Sequence, residues 1–350
     1  MAARGSVKFI CFWLGITFAW RNTMAQTGAQ VVVRPDNSIG TKATEIRSPG
    51  RGEVLVETVC TLISAGTELG TQEQGRTDDF TPGYSNTGRI IEIGEAVEGY
   101  EIGDRVLSLG HHASHVTVSA APQSLARLPD SVSFEAGTFG VLGSVSMHGV
   151  RKARIELGEF ACITGMGLVG QLALQLAAQT GAELLFAIDL SDSRLEVAKA
   201  LGATHRLNPN RCDLRSEVAN ITEGRGLDVT IEASGYPELL PIAFDMARIG
   251  GRIMALGSIW HRKIEVDFMD FHLKELTLVG CHQPKCPTVA TPAFPWTQQY
   301  NRRQILKMID RGEINVDRLI SHRMPYTEAG EAYRLLRDER DKSLGVVLTW

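Results

Sequence analysis

The chain has 350 residues, 43% hydrophobic and 22% charged, with a net charge of −4. That length suffices for two domains with substantial cores, and the mild acidity argues against a surface built for nucleic acid. The six cysteines are scattered without a Cys-x-x-Cys pair, which argues against a thiolate zinc lobe and a dense disulfide framework and leaves reduced thiols as the expectation.

Residues 1–23 read as an extension. Their apolar stretch, 9–20, follows Arg4 and Lys8 and is too short to span a bilayer. It has the look of a signal-peptide core with Thr23-Met24-Ala25 as a cleavage site. The preferred reading is an over-long start with Met24 as the true first residue, because a strand at 30–33 follows almost at once. A cytoplasmic location goes with that reading, and export is its alternative. No membrane partner is expected.

From about residue 29 to 118 the pattern is strand-like. Short β-branched runs at 31–33, 54–56, 89–91, 106–107 and 116–118 are punctuated by Gly, Pro and Asp at turn spacing. From 144 to 282 strands alternate with helices. Strands are expected at 161–164, 184–188, 228–232, 252–256 and 276–279. A helix after the first of these carries Val169, Leu172, Ala173, Leu176 and Ala177 on one face. Ser193 and Glu196 suggest a capping box for the next helix. After Cys286 come helices at about 298–311 and 327–337 and a last strand at 345–348. The expected fold is thus α/β: a doubly wound parallel Rossmann sheet over 146–283 and a β-rich domain over 24–145, completed by 284–350.

Gly165-Met166-Gly167-Leu168-Val169-Gly170 is a G-x-G-x-x-G between a strand and an amphipathic helix, and Asp189 closes the next strand. In this context Gly165 permits the tight turn, Gly167 lets the backbone approach a pyrophosphate, and Gly170 lets the helix pack on the sheet. Leu168 and Val169 open the helix whose free N–H groups face the phosphates. A carboxylate at Asp189 accepts from both adenosine ribose hydroxyls and repels a 2′-phosphate, so NAD is favoured over NADP. Arg194 lies close enough in sequence to complicate that preference.

The order of a β-rich half, a Rossmann unit and a return segment resembles the medium-chain dehydrogenase/reductase superfamily, whose β-rich domain is GroES-like. The motifs that carry the likeness are Gly66-Thr67-Glu68, Gly83, Gly88, Ile93-Gly94, Gly103-Asp104-Arg105-Val106, the Gly165 fingerprint, Glu232-Ala233-Ser234-Gly235 and Gly250-Gly251-Arg252. The resemblance implies an oxidoreductase acting on a small molecule, adds Ser234 and Gly257 to the cofactor site, and leaves a homodimer open. Zinc-dependent members carry Cys-Gly-Thr-Asp and Gly-His-Glu, where this chain has Ala65-Gly66-Thr67-Glu68 and Gly83-Tyr84-Ser85. The third ligand would fall near Val141, and the four-cysteine lobe is missing. The chain therefore resembles the zinc-independent branch, closest to the group around bacteriochlorophyllide dehydrogenase, and no metal ligand is expected. His111, His112 and His115 would hold a metal only if a carboxylate joined them; a structural or cleft-lining role is preferred.

Without zinc, hydrogen-bond donors must polarise the substrate oxygen. The resemblance places Thr67 at a proton-relay position and Tyr84 at a metal-ligand position, with His112 and His148 as further candidates. A phenol donates near its ordinary pKa of about 10, and a lowered pKa would let it exchange a proton. The leading expectation is a zinc-free, NAD(P)-dependent hydride transfer on an alcohol/carbonyl pair. The alternatives are an enoyl or quinone reductase and a non-catalytic dinucleotide-binding sensor or structural protein.

Overall fold

The computed structural model describes residues 26–72, 77–257 and 263–350; the reading of residues 1–23 lies outside them. Strands β1 (Thr27–Val33) and β2 (Ile39–Glu45) form an antiparallel pair. Then come β3 (Glu53–Leu62), helix α1 (Ala65–Gln72), β4 (Asn86–Ile93), β5 (Arg105–Ser108), β6 (His115–Ser119) and β7 (Leu125–Arg127). Short helix α2 (Phe134–Gly137), capped by the Ser133 side chain, leads into α3 (Phe139–Ala153), which is buried along most of its length.

The second half alternates β8 (Phe160–Thr164), α4 (Leu168–Ala178), β9 (Leu184–Ile188), α5 (Asp192–Ala200), β10 (His205–Leu207), α6 (Leu214–Ile221), β11 (Leu227–Glu232), α7 (Leu239–Met246), β12 (Ala247–Ala255), α8 (Met269–Leu273) and β13 (Thr277–Gly280). All six strands are parallel, in the order β10-β9-β8-β11-β12-β13. Strand β11 is buried at every position, as a sheet covered on both faces requires. The order reverses between β8 and β11, and the crevice at such a switch point, beyond the carboxyl ends of the strands, is where open α/β sheets bind ligands.

The chain returns through α9 (Gln298–Asp310), β14 (Ile320–Pro325), α10 (Ala329–Asp338) and β15 (Gly345–Thr349). Strands β14 and β15 complete the seven-stranded sheet of the β-rich half, where β15 pairs antiparallel with β3. This is the α/β architecture expected, a parallel Rossmann-like sheet with a β-rich domain. The largest core cluster includes α3, α4, the inner faces of β8 and β11, and α9.

The capping box does not form. Ser191 occupies the cap position of α5, Ser193 Oγ donates to the Asp341 carbonyl and Glu196 pairs with Arg206. Tertiary partners outcompete the local motif for both side chains.

Candidate active site

The turn after β8 is built by steric exclusion. Gly165 has φ +83°, and a Cβ there would lie 2.6 Å from the Ser234 backbone at the end of β11. At Gly170 a Cβ would sit 1.8 Å from the Gly165 carbonyl oxygen. Nothing lies within 4 Å of the equivalent point at Gly167, the cap residue of α4, and no side chain caps that helix. The turn therefore presents open backbone and a positive helix end to the crevice, a ready anion site. Leu168 and Val169 form the first turn of α4 behind it.

Asp189 follows β9 directly. Its carboxylate accepts the Met166 N–H at 2.6 Å and the Ser191 N–H at 2.8 Å, so it also braces the fingerprint turn. Arg194 is turned to the C-terminal segment: its guanidinium donates to the carbonyls of Arg340 (3.0 Å) and Ser343 (3.1 Å). Across the turn, buried Glu232 accepts from the Ser234 N–H and hydroxyl and the Gly235 N–H. Burial raises the Glu232 carboxyl above its ordinary range against those hydrogen bonds. Gly257 packs so closely that a Cβ would meet the Gly235 nitrogen at 2.4 Å.

A second polar group gathers around α1. Tyr84 is half-buried, and its hydroxyl donates to Ser64 Oγ and lies 3.4 Å from Thr67 Oγ1, which is exposed. Burial raises the Tyr84 phenol above its ordinary pKa, despite the bonds to Ser64 and Thr67. The lowered phenol pKa considered from the sequence is not what this environment produces; Tyr84 is set up to keep its proton and donate. Beneath it lies Glu68, buried, accepting from the Ser64 N–H (2.8 Å), His112 Nε2 (3.1 Å) and the Tyr333 hydroxyl of α10. Burial pushes the Glu68 carboxyl up, but His112, Tyr333 and Ser64 outweigh it and hold the group below its ordinary value.

Three of the four catalytic candidates, Thr67, Tyr84 and His112, thus fall in one network, with His112 fully buried behind Glu68 rather than at the surface. His148 belongs elsewhere. It is buried in α3, edge-on to Phe294, with Nδ1 lacking a partner. Burial, with Lys152 and His282 nearby, lowers its pKa to about 4, so it is neutral at pH 7. The sequence reading did not single out Ser64, Glu68 as a network acid, or Tyr333. The spacing of Ser64 and Glu68 at a helix start was the available local signal; Tyr333, 265 residues from Glu68, gave none.

The histidine cluster separates. His111 Nδ1 lies 2.9 Å from the Gly83 carbonyl, His115 Nδ1 lies 3.0 Å from Ser114 Oγ, and only His112 meets a carboxylate. Among the described residues no group of three or more His, Cys, Asp or Glu could hold a metal ion. Ala65 opens α1, and Val141 is buried in α3. No helix of the described residues is long and apolar enough to cross a membrane.

A family model described as zinc-binding dehydrogenase matches residues 169–298. The D-guloside 3-dehydrogenase of Escherichia coli (strain K12) is 28% identical over 267 residues, covering 74% of each chain. An alcohol dehydrogenase from E. coli CFT073, solved with NADH, superposes with a TM-score of 0.80 at 19% identity, covering 93% of this chain and 99% of that one. A protein from Sinorhizobium meliloti 1021, described as a zinc-binding dehydrogenase and solved with NADP, superposes at 0.79 and 21%, covering 93% and 100%. In sequence and in fold the chain is thus similar to medium-chain, alcohol dehydrogenase-like oxidoreductases.

Proposed function

We propose that this chain is an NAD-preferring dehydrogenase that transfers a hydride between nicotinamide and an alcohol/carbonyl pair without a catalytic zinc. The observation that carries the reading is the hydroxyl cluster of Tyr84, Ser64 and Thr67, in which Tyr84 takes a metal-ligand position of zinc-dependent relatives, in a chain whose dinucleotide turn is intact. Zinc requires about four N, S or O donors. Ala65 and Val141 offer hydrocarbon, burial keeps the Tyr84 phenol protonated, and Glu68 is engaged by His112, Tyr333 and Ser64. These residues do not fit the metal. The Ser64-Ala65-Gly66-Thr67-Glu68 run supports kinship with the bacteriochlorophyllide dehydrogenase-like group.

Bound nicotinamide supplies the hydride chemistry. The open start of α4 holds the phosphates, and Asp189 receives the adenosine ribose hydroxyls, which favours NAD. Tyr84 turns its hydroxyl from Ser64 to the substrate oxygen and donates to it as negative charge develops there. Thr67, exposed and next to Tyr84, passes a proton between that hydroxyl and solvent. Glu68 positions the group by tying the start of α1 to His112 and α10.

The test is a screen of alcohols, polyols and their carbonyl partners with chelator-dialysed protein, followed at the reduced-nicotinamide absorbance. Turnover that persists without metal supports the proposal. Turnover that appears only when zinc is restored overturns it.

A further inference from the structure

Two cavities beside the parallel sheet share no residue with the dinucleotide turn, and four cationic side chains line each of them. In one, of about 430 Å³, every cation faces a carboxylate: Arg215 pairs with Asp245, Arg225 and Arg248 with Asp228, and Lys274 lies 3.9 Å from Asp270. In the other, of about 600 Å³, Arg252 pairs with Glu159 at 2.6 Å, whereas Arg151, Lys152 and Arg154 have no carboxylate within ion-pair distance among the described residues. The first cavity is neutralised from within. The second keeps a surplus of positive charge.

The second cavity is built from three directions. Arg252 and Met254 of β12 and Thr277 and Val279 of β13 alternate onto one sheet face, in register with each other, and form its floor. The end of α3 is one wall, and Phe294 and Trp296, ahead of α9, form another. A helix dipole favours cations at its carboxyl end, but the unpaired cations do not cap α3. Arg252 meets the Ala153 and Arg154 carbonyls, while Lys152 donates to Gly280 of β13 (3.1 Å) and Arg151 to Asn301 of α9 (2.7 Å). Arg151 also lies over the Trp296 ring at 3.8 Å, a contact that fixes the guanidinium without cancelling its charge. Burial lowers its pKa, and no carboxylate opposes that shift. Arg154 is exposed at the left-handed position that ends α3, and its side chain has no hydrogen bond or ion pair among the described residues.

We infer that this cavity is a binding site for a phosphorylated small molecule. Its phosphoryl group pairs with Lys152, Arg154 and Arg151, and its apolar part lies on Val279 and Phe294. Near neutral pH a phosphoryl group carries close to two negative charges and has three strong acceptor oxygens, which suits several unpaired cations better than one carboxylate does. The volume falls within the range of small-molecule sites, roughly 300–1,000 Å³. The site shares no residue with the α1 network either, and it stands whether or not the proposed activity does.

The test is equilibrium dialysis of phenyl phosphate, inorganic phosphate and benzoate against the full chain, with NADH in excess to occupy the dinucleotide turn. Phenyl phosphate should bind tightest, because it alone offers both the phosphoryl group and an apolar part. The double variant Lys152→Gln with Arg154→Gln should weaken it by roughly tenfold to a hundredfold, and Arg215→Gln, in the neutralised cavity, should leave it within about twofold. Lys152→Arg with Arg154→Lys keeps both charges and should bind like wild type. Matching thermal melts check that these exposed substitutions keep the fold. Equal affinity in wild type and the glutamine double variant would overturn the inference. So would an equal loss in Arg215→Gln, which would reduce the effect to net charge, or wild-type protein that binds no phenyl phosphate beside NADH. Benzoate as tight as phenyl phosphate would overturn the phosphoryl assignment.

Discussion

The turn after β8 and the network around α1 are both polar, but they are held differently. The turn is backbone, fixed by the absence of side chains: Gly165 and Gly170 leave no room for a Cβ, and Gly167 leaves space for a ligand. The α1 network is made of side chains, fixed by partners as remote in sequence as Tyr333. Backbone held by exclusion tolerates almost no substitution. A side-chain network holds its geometry only while its buried charge stays satisfied. Substitutions in the two regions should therefore fail in different ways.

The largest effect is expected at the turn. Gly170→Ala drives a methyl into the Gly165 carbonyl and should cost more than about 2 kcal/mol of stability and abolish measurable NADH binding. Gly167→Ala should melt like wild type and bind NADH weakly, since its methyl meets only the ligand. Thermal melts and fluorescence titration of both variants check the pair. If the two behave alike, the steric account of the turn fails.

Glu68→Gln comes next. Removing the charged acceptor weakens the hydrogen bonds from Ser64, Tyr333 and His112, which typically costs about 1–3 kcal/mol, and His112 would lose its anionic partner. The denaturation midpoint should fall, and turnover should fall with it, while NADH affinity stays within about twofold of wild type. A drop in NADH affinity as large as the drop in turnover would mean that the two regions are not independent.

These two regions also differ in how far they could be read in advance. The glycine spacing, the strand before it and Asp189 after it are local, so the cofactor turn and the parallel sheet were legible from short-range pattern. Tyr84 and Thr67 were found through family motifs. Glu68, Ser64 and Tyr333 were not, because only the fold brings α10 to α1. The same physics hid β2, β7, β10 and β14: they are short or edge strands whose pairing, not their own periodicity, defines them. The place of His148 after a familiar stretch gave no sign that its ring would be buried against Phe294.

That burial predicts an acid sensitivity outside both regions. The unfolded chain protonates His148 near pH 6.5 and the folded chain only near about 4. More protons are bound by the unfolded state in that window, so the stability present at pH 7 falls as pH drops through 6.5 toward 4, by at most about 3 kcal/mol. His148→Gln should flatten this part of the stability profile, measured by denaturant unfolding at pH 7.5 and 5. An unchanged slope would show that other groups set it.

A smaller effect is expected at Asp189. Asp189→Asn keeps an acceptor for the Met166 N–H, gives up the one for the Ser191 N–H and removes the charge proposed to face the ribose. The preference for NADH over NADPH should shrink by roughly tenfold, about 1.4 kcal/mol, without a large change in stability. Titration with both reduced cofactors decides it, and an unaltered preference would shift the determinant to another residue.

The central claim is that the Tyr84 hydroxyl serves where relatives use a metal. Its most direct test is the turnover number of Tyr84→Phe on an identified substrate, measured in chelator-treated protein with hydride transfer rate-limiting. Loss of a single preorganised donor is worth roughly 2–4 kcal/mol in the transition state, so turnover should fall by roughly thirtyfold to a thousandfold with NADH affinity unchanged. Turnover equal to wild type would contradict the claim and leave Tyr84 as packing in the place of a lost metal.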